Sequence, residues 1–319
     1  MSSKIKWFFD AVWWKTYYLI EKELLKNAGR GIKRRKFHNR RPDEVFCVIR
    51  RKGDSAGLFS YVLIILEKIE QCEQEKWIPV VDMMHTINSY LYKREVGFIN
   101  SWEYFFEQPG GHKLKDIRGC QNICLSDIQI RCAVTERVFT DENDLKKWSG
   151  LYHKYIKLNE KTKKHIDDVY QELFHKSDRV LGVLCRGTDY LNAPPLHPIQ
   201  PEPQMVISDA KKLMKEKALD KIYLATEDAA IYDLFRQEFG QNLIAVDCVR
   251  YVGKEEITTR KNRRKNDKYI QGLDYITTIY LLARCTGILC GNTNGAVAAY
   301  IINGGKYEFS NCYQLGAYS

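Results

Sequence analysis

The sequence predicts an α/β protein built on parallel sheet, and three observations predict it. In the second half, short apolar runs alternate with helix-length periodic segments, the pattern of a doubly wound sheet. Those runs stop abruptly at clusters of charged and small residues, as buried strands do where a sheet meets solvent. The chain is also 319 residues long, more than one ordinary core, so two domains are expected.

The first segment stands apart. Ile5–Ala28 suits an amphipathic helix: Phe9, Trp13, Tyr17, Ile20 and Leu24 recur at helical spacing, and Trp7, Phe8, Trp14 and Tyr18 widen the face. A basic run, Arg30 to Arg41, follows. Residues 1–41 hold twelve Lys or Arg against three Asp or Glu (12 − 3 = 9), so +9 of the net +10 belongs to them. Aromatics on one face beside clustered cations suit a helix lying on an anionic membrane surface. The alternative is a helix packed on its own protein with a solvated basic run. A nucleic-acid partner is not expected, because the charge is confined to one tail and no nucleic-acid motif accompanies it. No apolar run approaches bilayer length, and Asp10 and Lys15 interrupt the first one as a cleavable signal would not allow. The expected location is cytoplasmic, peripheral on the inner face of the cell membrane.

Ten cysteines fit that setting. Cys47, Cys72, Cys185, Cys285 and Cys290 sit in or beside apolar segments, where a reduced cysteine acts as a small hydrophobe. Cys120, Cys124 and Cys132 lack the histidine pair of a zinc pattern, so no metal site is expected.

Past the tail, Val45–Ile49 reads as a strand, a glycine-containing turn (51–60) leads into a helix at about Leu58–Cys72, and Trp77–Asp82 reads as a second strand. Asn100 to Glu107 opens with a capping residue and carries an aromatic face. Gln121–Cys132 supplies a further strand, and Asp141–His175 is polar, periodic and helical. The second half then gives strands at Val180–Cys185, Ile222–Ala225, Leu243–Asp247 and Ile288–Cys290, with helices at about Pro203–Lys217, Ala229–Phe239, Leu273–Cys285 and Gly295–Ile302. A long charged connection, Tyr251–Lys268, reads as functional or mobile.

The chemistry collects at three strand ends: Arg186-Gly-Thr-Asp189, Thr226-Glu-Asp228 and Gly291-Asn-Thr-Asn-Gly295. In a parallel sheet these share one edge, where α/β proteins bind ligands. Arg186 can pair bidentately with phosphate oxygens. The run Gly291 to Gly295 opens a helix, whose free N–H groups favour an anion, and Thr293 and Asn294 add donors. Glu227 and Asp228 can accept from a base or ribose; equally, Thr226-Glu-Asp228 can simply cap the next helix. The set suits a nucleotide diphosphate.

At these residues the chain resembles a known family. Val183–Tyr190, then His197-Pro-Ile199, then Ile222–Asp228, and finally Leu281–Tyr300 with its Gly-Asn-Thr-Asn, are similar in content and order to the α1,6-fucosyltransferases. These form glycosyltransferase family 23, within the protein O-fucosyltransferase superfamily. Gly57 and Asn100–Phe106 bear a fainter likeness to that family's acceptor-side domain. The resemblance implies a GT-B fold, two Rossmann-like domains facing across a cleft: a basic tail (1–41), an acceptor-side domain with a helical linker (42–175), and a nucleotide-sugar domain (176–319). It implies an inverting, metal-independent transfer from GDP-fucose to a hydroxyl of a cell-surface glycan or its lipid-linked precursor, with no cofactor. Arg186 would meet the β-phosphate, Glu227 and Asp228 the nucleoside, and Thr293 and Asn294 the diphosphate. Gly57, Gly187, His197, Thr226, Asp274 and Asn292 complete the expected binding set. The chain departs from the family at Leu184, where relatives have histidine, and at Gly187, where they have arginine. It departs again at Asn192–Pro195, which lacks a carboxylate, and at Thr277–Thr278, where relatives place an aspartate and Asp274 lies a turn earlier.

A base for the acceptor hydroxyl is expected at Asp189 or Glu103, with Asp54 behind them, although Asp189 can equally serve to orient Arg186. Two other readings stay open: a nucleotide-sugar-binding protein without catalysis, and a transferase using a different nucleotide sugar.

Overall fold

The computed structural model describes residues 32–34, 40–51, 56–126, 132–187, 197–252 and 264–318. The expected amphipathic helix at Ile5–Ala28, the residues Asp54, Asp189 and Asn192–Pro195, and most of the charged connection lie outside the described residues.

Two sheets organise the chain. The first contains β1 (Ile32–Arg34), β2 (Arg40–Ile49), β3 (Ile78–Val81) and β4 (Cys120–Leu125) in the order β1-β4-β2-β3. β2 runs parallel to β3 and β4, and β1 is antiparallel to β4. The described parts of the basic run are therefore strand residues, Ile32–Arg34 at a sheet edge and Arg40–Arg41 at the start of β2. Charged residues are the usual occupants of such an edge.

The second sheet contains β5 (Val180–Leu184), β6 (Lys221–Ala225), β7 (Leu243–Ile244), β8 (Gly287–Gly291) and β9 (Phe309–Tyr313), ordered β7-β6-β5-β8-β9 and parallel throughout. β9 was not expected. Its residues Ser310 and Asn311 are exposed and polar, so it lacks the apolar run that marks the central strands.

Among the described residues, seven α-helices pack around the two sheets. They are α1 (Leu58–Gln74), α2 (Glu142–Tyr155), α3 (Glu160–Leu173), α4 (Pro203–Glu216), α5 (Ala229–Phe239), α6 (Asp267–Leu282) and α7 (Asn294–Asn303). Side chains alternate along β5. Leu181 and Val183 pack with Val206, Ile207 and Phe235 of α4 and α5, while Val180 and Leu184 join Ile276, Leu282 and Val297 of α6 and α7. Gly182 lies under α6: a Cβ there would sit 2.7 Å from Leu282 Cδ1 and 3.0 Å from Cys285 Sγ.

Three boundaries differ from expectation, each for a local reason. Asp141–His175 is two helices, broken at Ile156–Asn159, because Asn159 accepts from Thr162 N and starts α3 afresh. Asn100 does cap a turn, accepting from Trp102 N, but the turn is only the 3₁₀ segment Ser101–Tyr104. There Trp102 stacks on Phe106, with ring centroids 4.4 Å apart, and the chain turns inward to bury both. α6 begins at Asp267 rather than near Leu273; an acidic first turn suits the helix dipole, and Arg264 pairs with Asp267 at 2.6 Å.

The first helix carries the connection between the sheets. Leu58, Phe59, Val62, Leu63, Ile64, Ile65 and Leu66 are all buried, so α1 is apolar nearly all round. Each fully buried residue of this size contributes about 1.5–3 kcal/mol of transfer free energy. α1 follows β2 of the first sheet yet packs on α6 and α7 of the second, and one continuous apolar cluster runs from Cys47 and Ile49 through α1 to Ala296 and Ile301.

The starts of α1 and α7 meet. Gly57 caps α1, and a Cβ on it would lie 3.7 Å from Tyr275 Cε1; a Cβ on Gly295, in the first turn of α7, would lie 2.9 Å from Tyr275 Oη. One tyrosine ring thus separates two helix N-termini, each just beyond the carboxyl end of a parallel strand. Two parallel-sheet α/β units joined at such a contact are what a GT-B fold would contain. Among the described residues no helix is long and apolar enough to cross a membrane, and all ten cysteines are free thiols.

Candidate functional site

Strand register brings the expected residues into a row. Leu184 lies opposite Ala225 on β6 and Cys290 on β8. Two residues further on, Arg186 is level with Glu227 on one side and Asn292 on the other. Arg186 Nε makes an ion pair with Glu227 Oε1 at 3.1 Å, and each side chain is only 14% exposed. The same Oε1 accepts from Gly187 N at 3.2 Å. The ion pair keeps Glu227 beside the guanidinium, a group that binds phosphate through a rigid fork.

Thr226-Glu-Asp228 divides its labour. Thr226 Oγ1 accepts from Asp228 N, and Asp228 Oδ1 accepts from Ala230 N at 2.8 Å and Ile231 N at 3.1 Å, capping α5. Asp228 is buried and also presses on Gly187, where a Cβ would approach its Oδ2 to 2.3 Å. Only glycine fits at 187, and this accounts for the loss of the arginine that the resemblance would have placed there. Cys185 beside them is no nucleophile: burial, reinforced by Glu227 and Asp228, pushes its thiol up to about 12.

On the other flank, Thr293 is buried and caps α7, its Oγ1 accepting from Ala296 N at 3.1 Å. The hydroxyl proton remains for donation to an anion. Asn294 is exposed in the first turn, and Asn292 is half-buried. Gln200 lies across Gly291, its Nε2 donating to Asn292 O at 3.0 Å and Pro198 O at 3.1 Å. His197 is exposed and is tied by its backbone: Tyr318 N donates to His197 O, and Ile199 N donates to Gly316 O.

Two expected residues lie elsewhere. Asp274 pairs with Arg264 at 3.3 Å; burial raises its carboxyl, and the Arg264 charge offsets only part of that. Glu103, expected as a base, is held by Lys113 at 2.9 Å and by Gln108 Nε2 at 3.2 Å. It lines a cleft of about 510 Å³ beyond the ends of β2 and β3. Gly57, by contrast, stands beside the α7 start through Tyr275.

That cleft holds a constellation the sequence did not bring forward. Asp82 directly follows β3, is fully buried, and is ringed by donors: Met84 N and His85 N on Oδ1, Arg50 Nε on Oδ2 at 2.6 Å, and His85 Nδ1 at 2.9 Å. Burial alone would raise its carboxyl, but the hydrogen bond from His85 and the Arg50 charge hold it down at about 2. The available signal was an Asp-x-x-His spacing directly after a predicted strand, at the sheet edge where sites form.

No protein-family model matches the chain, and no curated protein matches it. Among solved structures it is similar to NodZ α1,6-fucosyltransferase soaked with GDP-fucose, at 18% identity and TM-score 0.49, over 81% of this chain and 92% of that one. The fucosyltransferase NodZ from Bradyrhizobium gives 18% and 0.48, over 80% and 92%. POFUT1 in complex with GDP gives 8% and 0.49, over 83% and 98%.

Proposed function

We propose that the chain is an inverting, metal-independent glycosyltransferase that moves L-fucose from GDP-fucose to a hydroxyl. The observation that carries this is the row at adjacent strand ends: a guanidinium fixed by Glu227, beside a helix N-terminus capped by Thr293, facing a second helix start at Gly57. A guanidinium and helix-start amides gathered at one edge suit a departing diphosphate. The choice of fucose and guanine comes from the motif resemblance at Val183–Tyr190 and Ile222–Asp228. The sequence offers no Asp-x-Asp motif for a metal, so the leaving charge falls to Arg186 and the start of α7.

In this mechanism the acceptor oxygen attacks the anomeric carbon from the face opposite the diphosphate. The bond to the diphosphate oxygen breaks, and GDP departs with the electron pair. A thermal-shift panel of GDP, UDP, ADP and CMP with their sugars tests the donor. GDP-fucose should give the largest upward shift, and incubation should release GDP and free fucose as water takes the acceptor's place. Selective binding of UDP or CMP sugars would overturn the donor assignment. A second reading, binding without catalysis, is favoured by the engagement of Glu103 with Lys113 and Gln108; it requires GDP-fucose to bind and no sugar to be released.

The acceptor is proposed to be a cell-surface glycan or its lipid-linked precursor, reached from the cytoplasm. The +9 segment 1–41 would hold the enzyme on the inner leaflet, each cation near an anionic surface adding about 1 kcal/mol. Co-sedimentation with vesicles containing phosphatidylserine should be strong for the full chain and fall sharply without residues 1–31; equal sedimentation of both would remove the tail from this role.

A further inference from the structure

We propose that His85, held by Asp82, is the general base of the transfer, and that the cleft it lines receives the acceptor. This rests on the glycosyltransferase reading. The other carboxylates described near the site are committed. Glu227 holds Arg186, Asp228 caps α5, Asp274 pairs with Arg264, and Glu103 is taken by Lys113 and Gln108. His85 is built differently. Its Nδ1 faces both oxygens of Asp82, at 3.1 and 2.9 Å, and its side chain is 38% exposed on the 510 Å³ cleft. Donation of the Nδ1 proton to a carboxylate leaves Nε2 with its lone pair, the tautomer a base requires. Asp82 cannot turn away, since Arg50 Nε, Met84 N and His85 N fill its remaining acceptor sites.

The location fits a group that meets the acceptor while Arg186 meets the donor. His85 stands beyond the carboxyl end of β3, in the half of the chain that does not carry Arg186. The segment after it is pinned across the junction: Ser89 Oγ donates to Ala56 O at 2.9 Å, next to Gly57, and Lys268 Nζ of α6 donates to Ser89 O at 3.0 Å. The cleft is of the size that takes a small ligand, and Phe98 at its lip is 81% exposed, an aromatic face on which a sugar ring can lie. The charged groups around the imidazole are Arg50, Asp82, Glu103, Lys113, Lys115 and Arg118.

In the step itself, the acceptor hydroxyl gives its proton to His85 Nε2 as its oxygen bonds to the anomeric carbon. The bond from that carbon to the diphosphate oxygen breaks towards GDP, and the imidazolium later returns the proton to solvent. The test is turnover of GDP-fucose, with water as acceptor, by the full chain and by His85→Gln and His85→Ala. Both variants should release GDP about 100- to 10,000-fold more slowly with GDP affinity near that of the parent, and the thermal midpoint should hold in His85→Gln, whose amide can still donate to Asp82. The acid limb of the parent's pH–rate profile should vanish, and added imidazole should restore part of the rate to His85→Ala. Parent turnover with variants within about threefold of it, or an unchanged acid limb in His85→Gln, would overturn the assignment of His85 alone. A parent that binds GDP-fucose and never releases sugar would overturn the transferase reading and this one together.

Discussion

Replacing Arg186 by alanine should slow GDP-fucose turnover about 100- to 1,000-fold, equivalent to 2.7–4 kcal/mol of lost transition-state stabilisation. The guanidinium sits two residues past β5, where the backbone has left the sheet ladder, so its removal takes no strand hydrogen bond with it. Glu227 loses its cation but keeps the amide of Gly187. The thermal midpoint should therefore move little while the rate collapses. Arg186→Lys separates charge from shape: lysine restores a positive charge without the planar fork, so it should recover only part of the loss. Steady-state kinetics of GDP release, read beside a thermal melt, checks all three proteins. An Arg186→Ala rate close to that of the parent would remove this residue from the chemistry.

The second large effect is on stability. Asp82→Ala should cost about 3–5 kcal/mol, because it strips the counter-charge from Arg50 in a buried setting. Arg50 is only 10% exposed and Asp82 not at all, and the amides of Met84 and His85 lose their acceptor as well. The urea midpoint at neutral pH should fall accordingly. The loss should also depend on acidity in one direction. Asp82 titrates at about 2 in the folded protein, against about 3.9 for a free aspartate. Between those values the unfolded chain binds the extra proton, so stability rises with pH through this window. The contribution, about 2–3 kcal/mol, is complete above pH ~4 and disappears as pH drops through 2. Parent and variant melts should converge over that range. A gap that stays constant from pH 5 to pH 2 would show that Asp82 is not the carboxylate whose ionisation supports this edge.

Much of the second sheet was legible because its signals are local. β5, β6 and β8 are short apolar runs buried on both faces, and Ala229–Phe239 appeared as expected because Asp228 marks its start. The same residue shows where local reading stops. An aspartate before a helix can cap it or accept from a ligand, and only coordinates reveal its oxygen on Ala230 N and Ile231 N. The surroundings of Glu103 were hidden for a related reason. Its partner Lys113 lies ten residues on, across a turn that sequence does not fix. β9 escaped notice because an edge strand needs few apolar residues, and the Asp82–His85 pair because a single histidine in a polar segment carries no periodicity.

The way α1 is shared has a mechanical consequence. A helix whose first three turns are buried almost all round, and which packs on helices of the second sheet, cannot be uncovered without exposing hydrocarbon. Wide hinge opening between the halves is therefore too expensive to serve as a gate.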